Sequence, residues 1–102
     1  MVMTQYLIAK SVLEAIVRGS LENDPRLRVH SFLPLGRTRP IDVEVDRDEC
    51  HVTVHLDARL GEHLPTLATE VRQAIAEALG RMTGLAVRGV DVVFSGIFPA
   101  GA

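Results

Sequence analysis

The stretch IDVEVDRDECHVTVHLDARL, residues 41–60, decides the fold. Ile41, Val43 and Val45 alternate with Asp42, Glu44 and Asp46. Cys50, Val52, Val54, Leu56, Ala58 and Leu60 then alternate with His51, Thr53, His55, Asp57 and Arg59. Successive strand side chains point to opposite faces, so strict period two predicts an antiparallel pair with one face on a core and one face wet. Arg47-Asp48-Glu49 turns the chain between the two strands.

On the C-terminal side, Gly61-Glu62-His63 links to LPTLATEVRQAIAEALGRMTGL, residues 64–85. Leu64, Leu67, Ala68, Val71, Ile75, Ala78, Leu79 and Met82 fall on one face of a 3.6-residue helix. Pro65 suits the first turn, where its missing N–H costs nothing. Gly84 suits the left-handed position past the last turn, with Leu85 placed for a Schellman contact against Leu79. Residues 86–97 then read as a final strand with Val87, Val90, Val92 and Phe94 as its main apolar positions. Gly89 marks a bulge, because Val87 and Val90 differ in parity.

On the N-terminal side, residues 34–40 form a loop with two prolines and a glycine. Residues 26–33 alternate at Leu27 and Val29 and read as a strand. Before them, Val12, Leu13, Ile16 and Val17 share a helical face extended by Leu21. Ser11 with Glu14 predicts a capping box. Asn23-Asp24-Pro25 ends this helix. Residues 5–8 read as a short edge strand. The order α-β-β-β-α-β, with two amphipathic helices and a sheet apolar on one face, predicts an α+β two-layer sandwich. Its three- to four-stranded sheet is mainly antiparallel. A single domain over residues 1–102 is expected, with 98–102 a loose tail.

The chain has 102 residues, of which 47% are hydrophobic, enough for one core. Eleven basic and 13 acidic residues give a net charge of −2, which argues against binding nucleic acid or an anionic membrane through overall charge. The lone Cys50 has no intramolecular disulfide partner and fits a reducing, intracellular setting. The N-terminal residues lack a basic start followed by a long apolar run, and no segment reaches the roughly 18 apolar residues of a membrane span. Direct insertion into a membrane is therefore not expected.

Candidate chemistry is sparse. His51 and His55, four apart on a strand, lie about 13 Å from each other and cannot share a metal ion. Cys50 sits on the apolar side, where a small half-buried side chain is the plainer account. Asp42, Glu44 and Asp46 read as a solvated face that pairs with Arg47 or Arg59. Arg37 and Arg39 form a basic loop that an acidic partner would fit, although it lacks the pattern of a phosphate-binding loop. No catalytic, cofactor-binding or metal-ligating set is assigned, and no enzyme is expected. Val93, apolar on the side opposite Val92 and Phe94, marks a partner or oligomer surface that Ile97 and Phe98 extend. The plainer alternative packs Val93 under the first helix.

Several segments resemble one known family. They are Val52-Thr53-Val54-His55-Leu56, Leu60-Gly61, the helix from Leu64 through Val71 to Ile75, and Met82-Thr83-Gly84-Leu85-Ala86-Val87. Val90-Asp91-Val92-Val93-Phe94 and Ser95-Gly96-Ile97 follow. Over residues 41–97 the chain is similar to the bacterial alkaline-shock-protein, or envelope stress response, family. The first helix fits more loosely. Ala9-Lys10 stand where members usually carry a capping Ser or Asp, and residues 23–39 have no placed counterpart. The resemblance implies a non-enzymatic, cytoplasmic protein linked to alkaline or cell-wall stress. Members self-associate as homo-oligomers or act through a membrane-anchored protein partner, with no cofactor and no catalytic residues. The helix–strand–strand–helix–strand order also suggests a KH-type nucleic-acid module. That module's Gly-x-x-Gly loop is missing, and nucleic acid is the less favoured partner.

Overall fold

In a computed structural model of the chain, residues 7–31 and 39–101 are described. Helix α1 (Lys10–Leu21) leads to strand β1 (Leu27–Val29) and the hairpin β2 (Ile41–Asp46) and β3 (Glu49–Arg59). Helix α2 (Leu64–Thr83) then leads to β4 (Ala86–Phe98). This is the expected α-β-β-β-α-β order and the α+β class. Of the expected edge strand at residues 5–8, Leu7 and Ile8 are not in a strand, and the rest lies outside the described residues.

The sheet is organised on β3. Both β2 and β1 pair antiparallel with it, end to end along one edge: Ile41 lies opposite Val54, and Val29 opposite Leu56. His55 occupies the join. Its N–H donates to the Pro40 carbonyl at 2.7 Å, and its carbonyl accepts from the His30 N–H at 2.9 Å. Strand β4 takes the other edge and runs parallel to β3. Two of the three pairings are thus antiparallel. The third is parallel because α2 carries the chain back to the starting end of β3, as a crossover must. Register shifts fall at Arg88, just before the expected Gly89, and at Ser95, just before Gly96. At both glycines the β3 side chain, His51 or Asp57, occupies the space a Cβ would need.

Both helices pack on one face of the sheet. Leu13, Val17 and Leu21 of α1 join Leu67, Val71, Ile75 and Leu79 of α2 against Val43, Cys50, Val52, Val54, Leu56 and Ala58. The apolar alternation outruns this cover. Val45, near the end of β2, and Leu60, in the turn after β3, are expected inside but are exposed, and Val12 on α1 is half exposed.

The helix ends differ from expectation in instructive ways. Helix α1 begins one residue before Ser11, with Ala9 as its N-cap and no side-chain cap, so the Ser11–Glu14 box does not form. Glu14 instead meets Arg39 at 3.4 Å. Helix α2 is capped by His63, whose ring accepts from the Thr66 N–H. Gly84 closes it at φ 77° with a single bond to the Gly80 carbonyl, the αL stop. The Leu85 N–H goes to Thr83 Oγ1 rather than completing a Schellman pair. Thr83 is buried and its hydroxyl donates to the Leu79 carbonyl, whereas Met82, expected on the buried face, is 63% exposed.

A polar tie fixes the turn after α1. The Asp24 carboxylate accepts from the Arg26 backbone and guanidinium, and Arg26 also reaches Glu70 on α2. Arg26 holds the Asp24 carboxyl below the usual carboxylate range, against the opposing effect of partial burial. A carboxyl depressed in the folded state stabilises at pH values above its unfolded pKa, and that stabilisation is lost as pH falls through the folded pKa. Asp24→Asn should therefore lower stability by up to ~1 kcal/mol at neutral pH, with the gap closing below the usual carboxylate range. Urea unfolding of both chains from pH 7 to about pH 2 checks this. Leu56→Ala, which empties a fully buried site on the central strand, should lower stability by about 2–5 kcal/mol in the same assay.

Candidate functional site

Among the described residues, the helices cover one face of the sheet and leave the second uncovered. Parity puts His51, Thr53, His55, Asp57 and Arg59 of β3 on that face, all intermediate in exposure. The pairings then bring His30, just after β1, and β4 side chains alongside them. His51 Nε2 lies 2.8 Å from the Asp91 carboxylate, and His55 Nδ1 lies 3.1 Å from Ser95 Oγ. His30 Nδ1 lies 2.6 Å from Asp57, whose carboxylate fills the space beside Gly96. The face is therefore a set of paired polar groups on a rigid sheet. That arrangement suits recognition of another surface, because each imidazole is held in place by a neighbour.

Three of these pairings were invisible in the chain order. His30 and Asp57 are 27 residues apart, and His51 and His55 reach across to residues 40 positions away. The antiparallel register of β1 on β3 reveals the first, and the parallel register of β4 reveals the other two. The expected pairing of Arg59 across the hairpin does not form, since Arg59 binds Glu62 at 2.8 Å. Arg47 instead serves the turn, adopting φ 58°, a positive value of the kind that primed hairpin turns require.

The expected partner surface divides. Val93 is 38% exposed on the uncovered face, beside His55, and so does not pack under α1. Ile97 is 55% exposed at the far end of β4. Phe98 is not part of an exposed surface or of a loose tail. It is the last residue of β4 and is 8% exposed, with the Arg28 guanidinium 4.0 Å from its ring centroid. Such a cation–π contact suits an aromatic ring on a charged face. Of the basic loop, Arg37 lies outside the described residues. Arg39 is well exposed and meets Glu14.

A second apolar feature lies on the opposite side of the molecule. Val12, Ala15, Ile16, Ala78 and Met82 line a shallow groove of about 540 Å³ between α1 and α2. Among the described residues no three metal-ligating side chains come together, and no helix is long and apolar enough to cross a membrane. Cys50 is buried, and burial pushes its thiol up from the usual value.

The family model of the alkaline shock proteins, described as having a cell envelope-related function, matches residues 29–99. The match takes in residues 29–39, which the resemblance left without a counterpart, and it excludes α1. No curated protein matches the chain, and no solved structure does.

The thiol supplies a check on the site. A reactive cysteine is exposed and has a depressed pKa, and Cys50 is neither. Native protein at neutral pH should react far more slowly with a chromogenic disulfide reagent than protein in guanidinium, as followed by absorbance.

Proposed function

The chain belongs to the alkaline shock protein family, and from that premise we propose that it is a non-enzymatic scaffold in cell-envelope homeostasis. It works in the cytoplasm, by self-association or through a membrane-anchored protein partner. The observation that carries this reading is the uncovered sheet face with Val93 exposed among paired polar groups. A protein interface combines an apolar centre with a polar rim, and Val93 between the His51–Asp91 and His55–Ser95 pairs has that composition on a small scale. Strand β4 is the element that delivers it: its inner side chains pack on the core, and its outer ones form the contact. The family's envelope role gives the surface its context, and the partner supplies any contact with the membrane.

Light scattering after size exclusion should give a mass above that of one chain. Val93→Glu should return it to the monomer while circular dichroism stays unchanged. A tagged chain recovered from cytoplasmic and membrane fractions should bring down an integral membrane protein or an envelope enzyme, identified by mass spectrometry. Recovery of ribosomal proteins and RNA instead would overturn the reading in favour of a nucleic-acid module.

A further inference from the structure

We propose that the chain dimerises by pairing the free edge of β4 antiparallel with the same edge of a second copy, about a two-fold axis at Val93. The inference rests on the self-association reading above and specifies its geometry.

Strand β4 is 13 residues long, and β3 is the one strand it pairs with among the described residues. Two further backbone bonds of β4, from the Ala86 N–H to the Asp48 carbonyl and from the Leu60 N–H to the Phe98 carbonyl, lie at β3's own ends. One described side chain, Arg72 of α2, donates to a β4 carbonyl, at Val90, and a carbonyl has a second lone pair. An edge strand is a template for another strand unless Pro, Lys, a bulge or clustered charge blocks it. Between its register shifts at Arg88 and Ser95, β4 keeps a regular run, Gly89 to Phe94, that includes Val93. Strand β4 contains no Pro and no Lys, and its two charged residues, Arg88 and Asp91, have opposite signs.

The opposite edge of the sheet differs. Strand β2 carries Asp42, Glu44 and Asp46 on one face, so antiparallel pairing with its own copy sets carboxylate against carboxylate. The charge pattern thus repels a second copy at one edge and admits it at the other.

Charge and apolarity also select the register. In a two-fold antiparallel pair, residues equidistant from the axis face each other. An axis at Asp91 would oppose two carboxylates. An axis at Val92 would set each Val93 against a carboxylate. An axis at Val93 sets Val93 against its copy, Asp91 against Ser95, and Val92 against Phe94. This register sets the two exposed valines side by side and opposes no like charges. Both β4 edges are consumed, so the assembly closes at two chains. A strand-edge contact is narrow, so association is expected to depend on concentration.

Cross-linking tests the register, because opposed residues in an antiparallel pair have Cα atoms about 4.5–5.5 Å apart, within disulfide range. Single variants Val93→Cys, Asp91→Cys and Ser95→Cys are oxidised, with the native chain and its buried Cys50 as control. Val93→Cys should form a disulfide dimer by itself. Asp91→Cys and Ser95→Cys should do so with each other and not alone, with masses separating the products. Light scattering of the native chain across a concentration series is run beside this. A monomer at every concentration would overturn self-association and this inference together. A dimer in which Val93→Cys cross-links no better than the native chain, or Asp91→Cys cross-links to itself as well, would overturn the edge pairing alone. Growth beyond two chains would also overturn it.

Discussion

Strand β3 uses both of its edges and one whole face, and the other elements are placed by what it requires. Val52, Val54, Leu56 and Ala58 are fully buried, so their row must be roofed. Two amphipathic helices do that. Its backbone donors and acceptors must also be paired along the length of the strand, since an unpaired buried peptide group is costly. One edge is filled by two short strands in tandem, with His55 serving both at the join. The other is filled by one long strand, which needs two register shifts to follow it. Each shift is followed by a glycine, because at those points the neighbouring β3 side chain already occupies the room beside the backbone.

Much of this was legible in residue order. The alternation over residues 41–60 and the helical spacing over residues 64–83 have one physical reading each, since the wrong period would put charges in the core. Gly84 and the parity change at Gly89 were equally explicit, because each reports a local backbone need. The direction of β4 was not legible: periodicity is the same for a parallel and an antiparallel strand. The position of β1 was hidden for a similar reason, since three residues do not say which half of a longer strand they meet. Met82 and Thr83 show a different limit. Near the end of a helix the buried face is set by what lies beneath. A threonine whose hydroxyl can bond to the Leu79 carbonyl is buried there at little cost.

The surface was less legible than the core for a physical reason. Burial constrains residue type strongly, whereas an exposed polar residue is compatible with many neighbours. His30, His51 and His55 looked unrelated until the register aligned them with Asp57, Asp91 and Ser95. Val93 was visible earlier because a valine between two core-facing apolar residues breaks the alternation. Phe98 has the opposite history. Its ring suggested an apolar end, and Arg28 covers it. The family described as having a cell envelope-related function is thus represented here by a plain core and a structured polar face.

The parallel placement of β4 also bears on how the polypeptide matures at the ribosome. The hairpin and α2 are synthesised before β4, so β3 waits with one edge bare while residues 60–85 are made. During that interval α1 is available to cover Val52, Val54 and Leu56, α2 is still being added, and the strand has no flank on that side. A nascent chain stalled at this stage presents an apolar strand edge to its surroundings, and chaperone attention belongs there. Loss of β4 by truncation would fix the molecule in that condition.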